Sequence, residues 1–430
     1  MQSTTIDLSS SEAHNLGWQH KVIHKIFSNM PLGGLLVKYS DGTSVQYGEA
    51  GHEIEATIQL NDDKEFFRQC VAYGNVGMGE AYMAEIWDTP DIKSVITWFI
   101  RNMHAQMGKN ASSNKIKKIN KFKFLNKLFH IARANTIRTS KKNISEHYDL
   151  GNDFYKLFLD PSMTYSSGLF IEEDATLEEA QYEKYDALCR KLQLTASDHV
   201  LEIGCGWGGF ACHAAKHYGC KITGVTISQE QLNYALDRVK NEGLVDLVDL
   251  RMQDYREIEG QYDHIVSIEM LEAVGDKYLP TYFKKCNDLL KPDGALGIQI
   301  ITVPDCRYEG LKQGVDFIQR HIFPGSLLLS TGRIAQVMKK TGELTAFQID
   351  DMGIDYARTL SAWHERFNNE LPTVRRQGFS ETFIRKWNYY LKYCEAAFQT
   401  RNISVVQAIY TKPNNEKLTP MRIHTPKKQN

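Results

Sequence analysis

One stretch, residues 199–210 with the sequence HVLEIGCGWGGF, constrains the fold of this 430-residue chain more than any other. A short apolar run ends there in four closely spaced glycines, and residues 211–217 are favourable for a helix. This pattern predicts a buried parallel strand, a tight turn that lets the backbone approach a ligand, and a helix N-terminus. Gly204, Gly206 and Gly209 also match the spacing of dinucleotide-binding turns, so the glycines alone leave the ligand open.

Two details favour S-adenosylmethionine over a nicotinamide dinucleotide. Glu202 lies two residues before the first glycine, where a carboxylate can meet a cationic ammonium group. The next predicted strand, 221–225, continues into residues 226–231 (TISQEQ) without the acidic residue at the strand tip that a nicotinamide ribose usually requires. A tight turn without any ligand is the third interpretation, and it is disfavoured because so many glycines are costly to order.

Strands and helices alternate along the second half of the chain, which predicts an α/β fold with a mostly parallel, doubly wound sheet. Residues 291–294 (KPDG) predict a turn before the fifth strand. Two later apolar runs, 345–350 and 404–410, are placed to complete the sheet as an edge pair. The other expected strands lie near residues 199–203, 221–225, 247–252, 263–268 and 295–301.

The first hundred or so residues have a different pattern. Runs rich in β-forming residues flank Asp41-Gly42, which predicts a hairpin, and helical patterns follow. No catalytic constellation is visible in this small α+β region. Eight cysteines are scattered singly along the chain, so neither a zinc site nor a disulfide framework is indicated. Residues 1–15 lack the features of a signal peptide, and we therefore expect a cytoplasmic location.

Residues 109–142 form the sharpest shift in composition. They carry nine lysines and two arginines and no acidic residue, with apolar and aromatic side chains interleaved. A basic helix with an apolar face suits the surface of an anionic bilayer, where each nearby lysine or arginine adds about 1 kcal/mol. A solvated basic linker with a core-facing stripe remains the alternative. Nucleic acid is disfavoured, because no nucleic-acid-binding fold accompanies the charge.

The motifs of the second half, taken together, resemble the cyclopropane-fatty-acyl-phospholipid synthases and the related mycolic acid methyltransferases. The first hundred residues resemble the lipid-docking domain of the phospholipid-acting branch, through residues 77–83 (GMGEAYM). The matching motifs are His147-Tyr-Asp, Tyr165-Ser, residues 201–208 (LEIGCGWG), residues 224–231 (GVTISQEQ), residues 265–268 (IVSI), Tyr356 and Cys394.

The resemblance implies a class I methyltransferase fold, which is Rossmann-like with a seven-stranded sheet, and S-adenosylmethionine as methyl donor. It implies that the substrate is a double bond in the acyl chain of a membrane phospholipid. We expect a protein associated peripherally with the inner face of the membrane, its oligomeric state left open, a homodimer included. The expected segments are a lipid-docking domain (1–108), a basic amphipathic linker (109–142), a methyltransferase domain with a helical cap (143–411) and a polar tail (412–430).

The same resemblance implies which residues surround the cofactor, with an ordinary role in a turn or core left open for each. The implied contacts are Tyr165 and Ser166 at its border, Gly204 and Gly206 along its methionine and ribose, Thr226 and Gln231 at the ribose, and Asp254 and Tyr255 at the adenine.

An alkene is a poor nucleophile, so methyl transfer to it leaves a carbocation that needs a dry pocket. Aromatic faces stabilise such a cation, and Tyr148 and Tyr165 are the candidates. A base must then remove a proton from the added methyl group for a ring to close. The resemblance implies that this base is a bound bicarbonate, held here by Glu272, Tyr356 and the backbone amide of Ile301.

Two further holders depart from the family pattern. Ser167 stands where the family has a cysteine, and Gln299 stands where it has a histidine; Ala273 replaces a second histidine. Serine and glutamine remain hydrogen-bond donors, so bicarbonate can still be held, but glutamine cannot carry a proton as histidine does. Cys394 matches a family cysteine regarded as catalytic, although its chemistry favours a packed helix residue.

Three functional interpretations follow. The leading one is a lipid C-methyltransferase whose product is a cyclopropane or, because of Ser167 and Gln299, a methyl-branched chain. The second is a small-molecule N- or O-methyltransferase, which has no use for the N-terminal domain or the basic segment. The third is a lipid-binding paralogue without turnover, which has no need of a complete cofactor cradle.

Overall fold

The computed structural model describes residues 18–49, 51, 53–109 and 150–419. The basic segment beyond its first residue, and Tyr148, lie outside these ranges, and the expectations for them stay predictions. The described residues form two compact units. Unit 1 contains those between 18 and 109 together with 310–324 and 357–403, and unit 2 contains 150–309, 325–356 and 404–419. The segment boundaries expected from the sequence stay predictions.

Unit 1 contains a four-stranded sheet in the order β2-β1-β3-β4. The first two strands pair antiparallel around Asp41-Gly42, which confirms the predicted hairpin. The side chain of Asp41 accepts hydrogen bonds from the backbone N–H and the hydroxyl of Thr43, closing the turn. The third strand pairs parallel with the first and antiparallel with the fourth. The strands are β1 (Gly34–Lys38), β2 (Ser44–Gly48), β3 (Glu55–Leu60) and β4 (Trp87–Asp88).

Unit 2 is built on a seven-stranded sheet in the order β10-β11-β9-β8-β5-β6-β7. The five strands β5 to β9 are parallel, and β11 runs antiparallel between β9 and β10. This is the doubly wound sheet that the sequence predicts, with the late edge pair in place. The strands are β5 (His199–Ile203), β6 (Lys221–Thr226), β7 (Val248–Met252), β8 (Tyr262–Ile268), β9 (Leu290–Thr302), β10 (Thr345–Asp351) and β11 (Ser404–Thr411).

The central strands are apolar because both faces of the sheet are covered. Val200, Leu201 and Ile265 are completely buried, and Ile222 is nearly so. Parallel strands covered by helices on both faces show this composition, in place of alternating polar and apolar residues. The predicted turn at 291–294 lies inside β9, where the pairing with β8 is irregular. No helix in the described residues is long and apolar enough to cross a membrane.

Fifteen α-helices are present in the described ranges, and several carry clear caps. The long helix that precedes β5 begins with a capping box, in which Thr176 and Glu179 satisfy each other's backbone N–H groups. In chain order the helices are α1 (Trp18–Phe27), α2 (Asp63–Tyr73), α3 (Asn75–Met83), α4 (Ile92–Lys109), α5 (Asn152–Tyr155), α6 (Leu177–Leu192), α7 (Gly209–Tyr218), α8 (Gln229–Asn241), α9 (Leu279–Leu289), α10 (Asp305–Lys312), α11 (Phe317–His321), α12 (Thr331–Thr341), α13 (Gly353–Asn369), α14 (Leu371–Arg376) and α15 (Glu381–Gln399).

Candidate functional site

The turn between β5 and α7 is held against the neighbouring strand and open on its other side. The N–H groups of Gly204 and Cys205 both donate to the carbonyl of Val225, at 2.9 and 3.0 Å. Gly204 has a φ of 87°, and a Cβ there would lie 2.8 Å from the Cγ of Met270. Gly206 also lies in the left-handed region, yet a Cβ there would meet nothing within 4 Å. Backbone that is pinned and bordered by open space suits the close approach of a ligand.

Glu202, near the carboxyl end of β5, is a buried acceptor with an unsatisfied oxygen. Its side chain is 3% exposed, and among the described residues its Oε2 has no hydrogen-bond partner. Burial raises the pKa of Glu202 to about 8, although the charge of Lys184 acts in the opposite direction. An unsatisfied buried acceptor costs about 1–3 kcal/mol, which the ammonium group of S-adenosylmethionine would remove on binding. The site therefore fits this cofactor.

The residues expected at the ribose lie together after β6. Thr226 and Gln231 are both buried, and the Thr226 hydroxyl donates to the Gln231 side-chain oxygen at 3.4 Å. Ser228 caps α8 by accepting from the backbone N–H of Gln231, which fixes the first turn of that helix. A hydroxyl and an amide at this strand end can hydrogen-bond the hydroxyls of a ribose.

The residues expected at the adenine form a short 3₁₀ turn after β7. Asp254 is buried and caps this turn, and its carboxylate pairs with Arg256 at 2.5 Å. The ring of Tyr255 meets Tyr282 edge to face, with centroids 5.4 Å apart. The turn is thus rigid, and it presents a polar edge beside an aromatic ring.

Tyr165 and Ser166 lie on a loop that α6 holds in place. The ring of Tyr165 contacts Tyr155, with centroids 5.3 Å apart. The Ser166 hydroxyl accepts from the ammonium of Lys184 at 2.7 Å. Lys184 is completely buried, and burial lowers its pKa to about 7. The charges of Glu269, Asp160 and Glu202 act to raise that pKa. Sequence reasoning missed this lysine, because on an amphipathic helix it is indistinguishable from a surface residue.

Three residues that the resemblance assigns to bicarbonate converge instead on the carboxylate of Glu269. Its Oε1 accepts from the Ser167 backbone N–H and from the Gln299 side-chain amide, each at 2.8 Å. Its Oε2 accepts from the Tyr356 hydroxyl at 2.7 Å. Sequence reasoning missed Glu269. The available signal was a second glutamate, three residues before Glu272, directly after the fourth parallel strand.

Glu272 lies in a different environment. Its Oε1 accepts from the backbone N–H of Ile301 at 2.6 Å, and its Oε2 is buried without a partner among the described residues. Burial and the charge of Glu269 raise the pKa of Glu272 to about 8. Burial also raises the pKa of Glu269, but three hydrogen bonds and the charge of Lys184 oppose that shift. Three donors contact the Glu269 carboxyl and one contacts that of Glu272, so hydrogen bonding favours the ionised form of Glu269 more than that of Glu272.

The remaining predicted site residues are placed as follows. Ser167 is fully buried, and its hydroxyl donates to the carbonyl of Gly168 at 2.9 Å, so it is the backbone N–H of Ser167 that faces the carboxylate. Cys394 lies in α15, within unit 1, and burial raises the pKa of its thiol, which makes it a poor nucleophile. Tyr148 lies outside the described residues.

The order of the sheet and the glycine turn after its first strand are those of the class I methyltransferases, which use S-adenosylmethionine. Residues 135–408 match the family model described as mycolic acid cyclopropane synthetase, and residues 22–111 match a domain of unknown function. The chain belongs to the mycolic acid cyclopropane synthetase family.

Relatives of this chain include two curated proteins that match most of its length. Tuberculostearic acid methyltransferase UfaA1 of Mycobacterium tuberculosis is 33% identical over 399 residues, covering 90% of this chain and 89% of that protein. Cyclopropane-fatty-acyl-phospholipid synthase of Escherichia coli K12 is 36% identical over 361 residues, covering 81% of this chain and 86% of that protein.

Two solved structures match the methyltransferase part. Cyclopropane synthase MmaA2 from Mycobacterium tuberculosis has a TM-score of 0.59 and 30% identity, covering 63% of this chain and 98% of that chain. Mycolic acid cyclopropane synthase CmaA1, solved with S-adenosylhomocysteine and CTAB, has a TM-score of 0.58 and 28% identity, covering 63% of this chain and 98% of that chain. These similarities support S-adenosylmethionine as the cofactor and confirm the predicted fold class and family.

Proposed function

We propose that this enzyme transfers a methyl group from S-adenosylmethionine to the double bond of an unsaturated phospholipid acyl chain. The observation that carries the proposal is the pair of buried carboxylates, Glu269 and Glu272, beside the cofactor turn. Met270, between them, lies against Gly204 of that turn. Methylation of an alkene creates a carbocation that must lose a proton, and a buried carboxylate beside the cofactor turn can accept it.

The reaction balances as follows. Bound S-adenosylmethionine supplies an electrophilic methyl group, and the electron pair of the broken carbon–sulfur bond stays on sulfur. The alkene π electrons form the new carbon–carbon bond, which leaves a cation on the adjacent chain carbon. Loss of a proton from the added methyl group closes a cyclopropane, whereas loss of a proton from the chain gives a methyl-branched alkene. The position of the proton acceptor selects between these products.

The named activities of the relatives support a lipid substrate. One relative is a cyclopropane-fatty-acyl-phospholipid synthase and another is a tuberculostearic acid methyltransferase. We infer that the enzyme works at the surface of an anionic bilayer on the inner face of the membrane. The support for this surface is the run of eleven positive charges at 109–142, with no acidic residue among them.

The experiment that tests the proposal combines purified protein, methyl-labelled S-adenosylmethionine and vesicles of a mono-unsaturated phospholipid. We expect a labelled lipid heavier by one CH₂, which gas chromatography of the released chains assigns to a cyclopropane or a methyl-branched product. Vesicles of the matching saturated lipid are the control and should acquire no label. Absence of labelled lipid from a protein that still binds the cofactor by calorimetry would contradict the proposal.

A further inference from the structure

We propose that the side chain of Glu269, and not a bound bicarbonate, is the base that takes the proton from the methylated acyl chain. This inference rests on the proposed function above. The groups that the family resemblance assigns to bicarbonate do not fit a second anion here. Ser167, Gln299 and Tyr356 already donate to the Glu269 carboxylate, and the Ile301 amide already donates to Glu272. The chain thus supplies a carboxylate of its own at that place.

A series of hydrogen-bonded side chains fixes the orientation of the Gln299 amide. The ammonium of Lys191 donates to the side-chain oxygen of Gln407 at 2.8 Å. The amide nitrogen of Gln407 then donates to the oxygen of Gln299 at 3.1 Å, and the nitrogen of Gln299 donates to Glu269. Lysine has no acceptor, so its position orients both amides in sequence. The Gln299 amide thus presents a donor to Glu269, which favours the ionised form of that carboxyl.

The count of lone pairs identifies the reactive oxygen. Two donors occupy Oε1 of Glu269, and one donor, the Tyr356 hydroxyl, occupies Oε2. A carboxylate has about four lone-pair sites, so one remains on Oε2. A proton from the added methyl group moves to this lone pair, and the electron pair of the broken C–H bond closes the ring on the adjacent cation. The neutral acid returns its proton to solvent before the next turnover.

The backbone at Glu269 gives an independent indication of function. Its φ is 47°, in the left-handed region that favours glycine. Its N–H donates to the carbonyl of Gln299 at 2.7 Å, which continues the pairing of β8 with β9 and holds the conformation. Strained backbone of this kind tends to occur at sites where a side chain must point in one direction.

The test starts with the wild-type enzyme and needs no variant. Lipid methylation is measured in buffer freed of carbon dioxide and again with added bicarbonate. We expect equal rates, since the base belongs to the chain. A rate that falls on removal of carbon dioxide and recovers with bicarbonate would overturn the inference while leaving the proposed function intact. A wild-type enzyme that methylates no unsaturated lipid in either buffer would overturn both.

Two variants then probe the residue itself. Glu269→Gly places a residue that adopts a positive φ without strain at this position, and it leaves a cavity where the carboxylate was. We expect product formation to fall by about 10²-fold or more, the usual contribution of a general base. Added formate or bicarbonate should restore part of the rate by occupying the opened volume. The isosteric Glu269→Gln should be equally slow and show no rescue, because the amide still fills the space.

The matched control is Glu85→Gly, since Glu85 is also a glutamate in the left-handed region, with a φ of 59°, an exposed side chain and a place in unit 1. It should keep the wild-type rate. Cofactor affinity, measured by calorimetry, should be unchanged in Glu269→Gly. Wild-type turnover by Glu269→Gly, or a loss of cofactor binding that accounts for its slow rate, would overturn the assignment.

Discussion

Glu202 combines two properties that make the apo protein ready for a cationic ligand. It is almost completely buried, and one of its oxygens has no partner among the residues described. A carboxylate in that state is poorly solvated, so an ammonium group brought next to it gains more than it would at the surface. The sequence predicted this role from position alone, and the structure adds the unsatisfied oxygen.

We therefore expect Glu202→Gln to weaken the binding of S-adenosylmethionine. A charged hydrogen bond contributes about 1.5–3 kcal/mol, so the dissociation constant should rise roughly ten- to hundredfold. Isothermal titration calorimetry measures this directly. Glu343→Gln, at an exposed position, is the control and should leave the affinity unchanged. An unchanged affinity in Glu202→Gln would contradict the assignment.

The two carboxyls with raised pKa values also predict how stability depends on pH. Burial raises the pKa of Glu202 and of Glu272 from 4.5 to about 8. A group whose pKa is higher in the folded state binds protons more tightly there, so its contribution is complete below pH 4.5 and is lost as the pH rises towards 8. The free energy of unfolding of the protein without cofactor should therefore fall as the pH rises from 4.5 to 8, and each of the two carboxyls contributes to that fall.

Replacement by the neutral isostere should remove that part of the dependence. When the pH rises from 5.5 to 8, the free energy of unfolding should fall less in Glu272→Gln than in wild type. The difference between the two falls should be on the order of a few kcal/mol. Urea denaturation of the apo protein at several pH values measures this. The Glu343→Gln protein should follow the wild-type curve, and coincident curves for Glu272→Gln and wild type would refute the prediction.

At the scale of elements, the sequence predicted the sheet well, because buried parallel strands have a strong local signal. All seven strands lie where apolar runs indicated, and the glycine turn follows the first of them. The predicted turn at 291–294 lies within the bounds of β9, but those four residues have no partner in β8, because the register passes from Leu290 opposite Tyr262 to Ala295 opposite His264. The regular pairing with β8 and β11 resumes at Ala295, which agrees with the expected start of the fifth strand.

The candidate site was predictable only as separate residues. Ser167, Gln299 and Tyr356 were each recognised through family motifs, yet what they have in common is contact with Glu269. Ser167 and Glu269 are 102 positions apart in the sequence, so the contact between them depends on tertiary structure. Lys184 and Gln407 were missed for the same reason, since nothing local indicates that a polar side chain on a helix or strand is completely buried.

A series of hydrogen bonds between side chains joins α6 to β11 and β11 to β9, and it leads to a prediction about catalysis. Lys191→Met removes the donor that orients the amides of Gln407 and Gln299. Because a lost hydrogen bond costs about 1 kcal/mol, we expect kcat to fall about fivefold with cofactor affinity unchanged. Lys191→Arg keeps a donor and should retain most of the activity.

A second control separates the amide chain from the ion pair that Lys191 also makes. Lys191 pairs with Asp350 at 2.6 Å. Asp350→Asn removes that ion pair and leaves the donation to Gln407 in place, so it should keep a kcat near that of wild type. Equal losses in Asp350→Asn and Lys191→Met would show that the ion pair matters and the amide orientation does not. Steady-state kinetics on unsaturated vesicles distinguish these results.

At the scale of the whole molecule, charge is distributed unevenly along the chain. The formal net charge is −1, yet residues 109–142 carry eleven positive charges and no negative one. The rest of the chain therefore carries a net charge of −12, so attraction to an anionic surface, as proposed, would act through the basic segment alone. Under the proposed function the substrate lies in a bilayer, where such attraction would keep the enzyme near it between turnovers.

We expect the quadruple change of Lys117, Lys118, Lys121 and Lys123 to glutamine to weaken binding to anionic vesicles. Each lysine near the surface contributes about 1 kcal/mol, so the partition coefficient should fall by roughly two orders of magnitude or more at low salt. The difference should shrink as salt rises, because screening acts on the same attraction. Cosedimentation with vesicles at two ionic strengths measures both effects. The matched control changes four exposed lysines elsewhere, Lys64, Lys240, Lys339 and Lys340, to glutamine. That control loses the same net charge, so equal weakening in the two proteins would assign the attraction to overall charge and not to the basic segment.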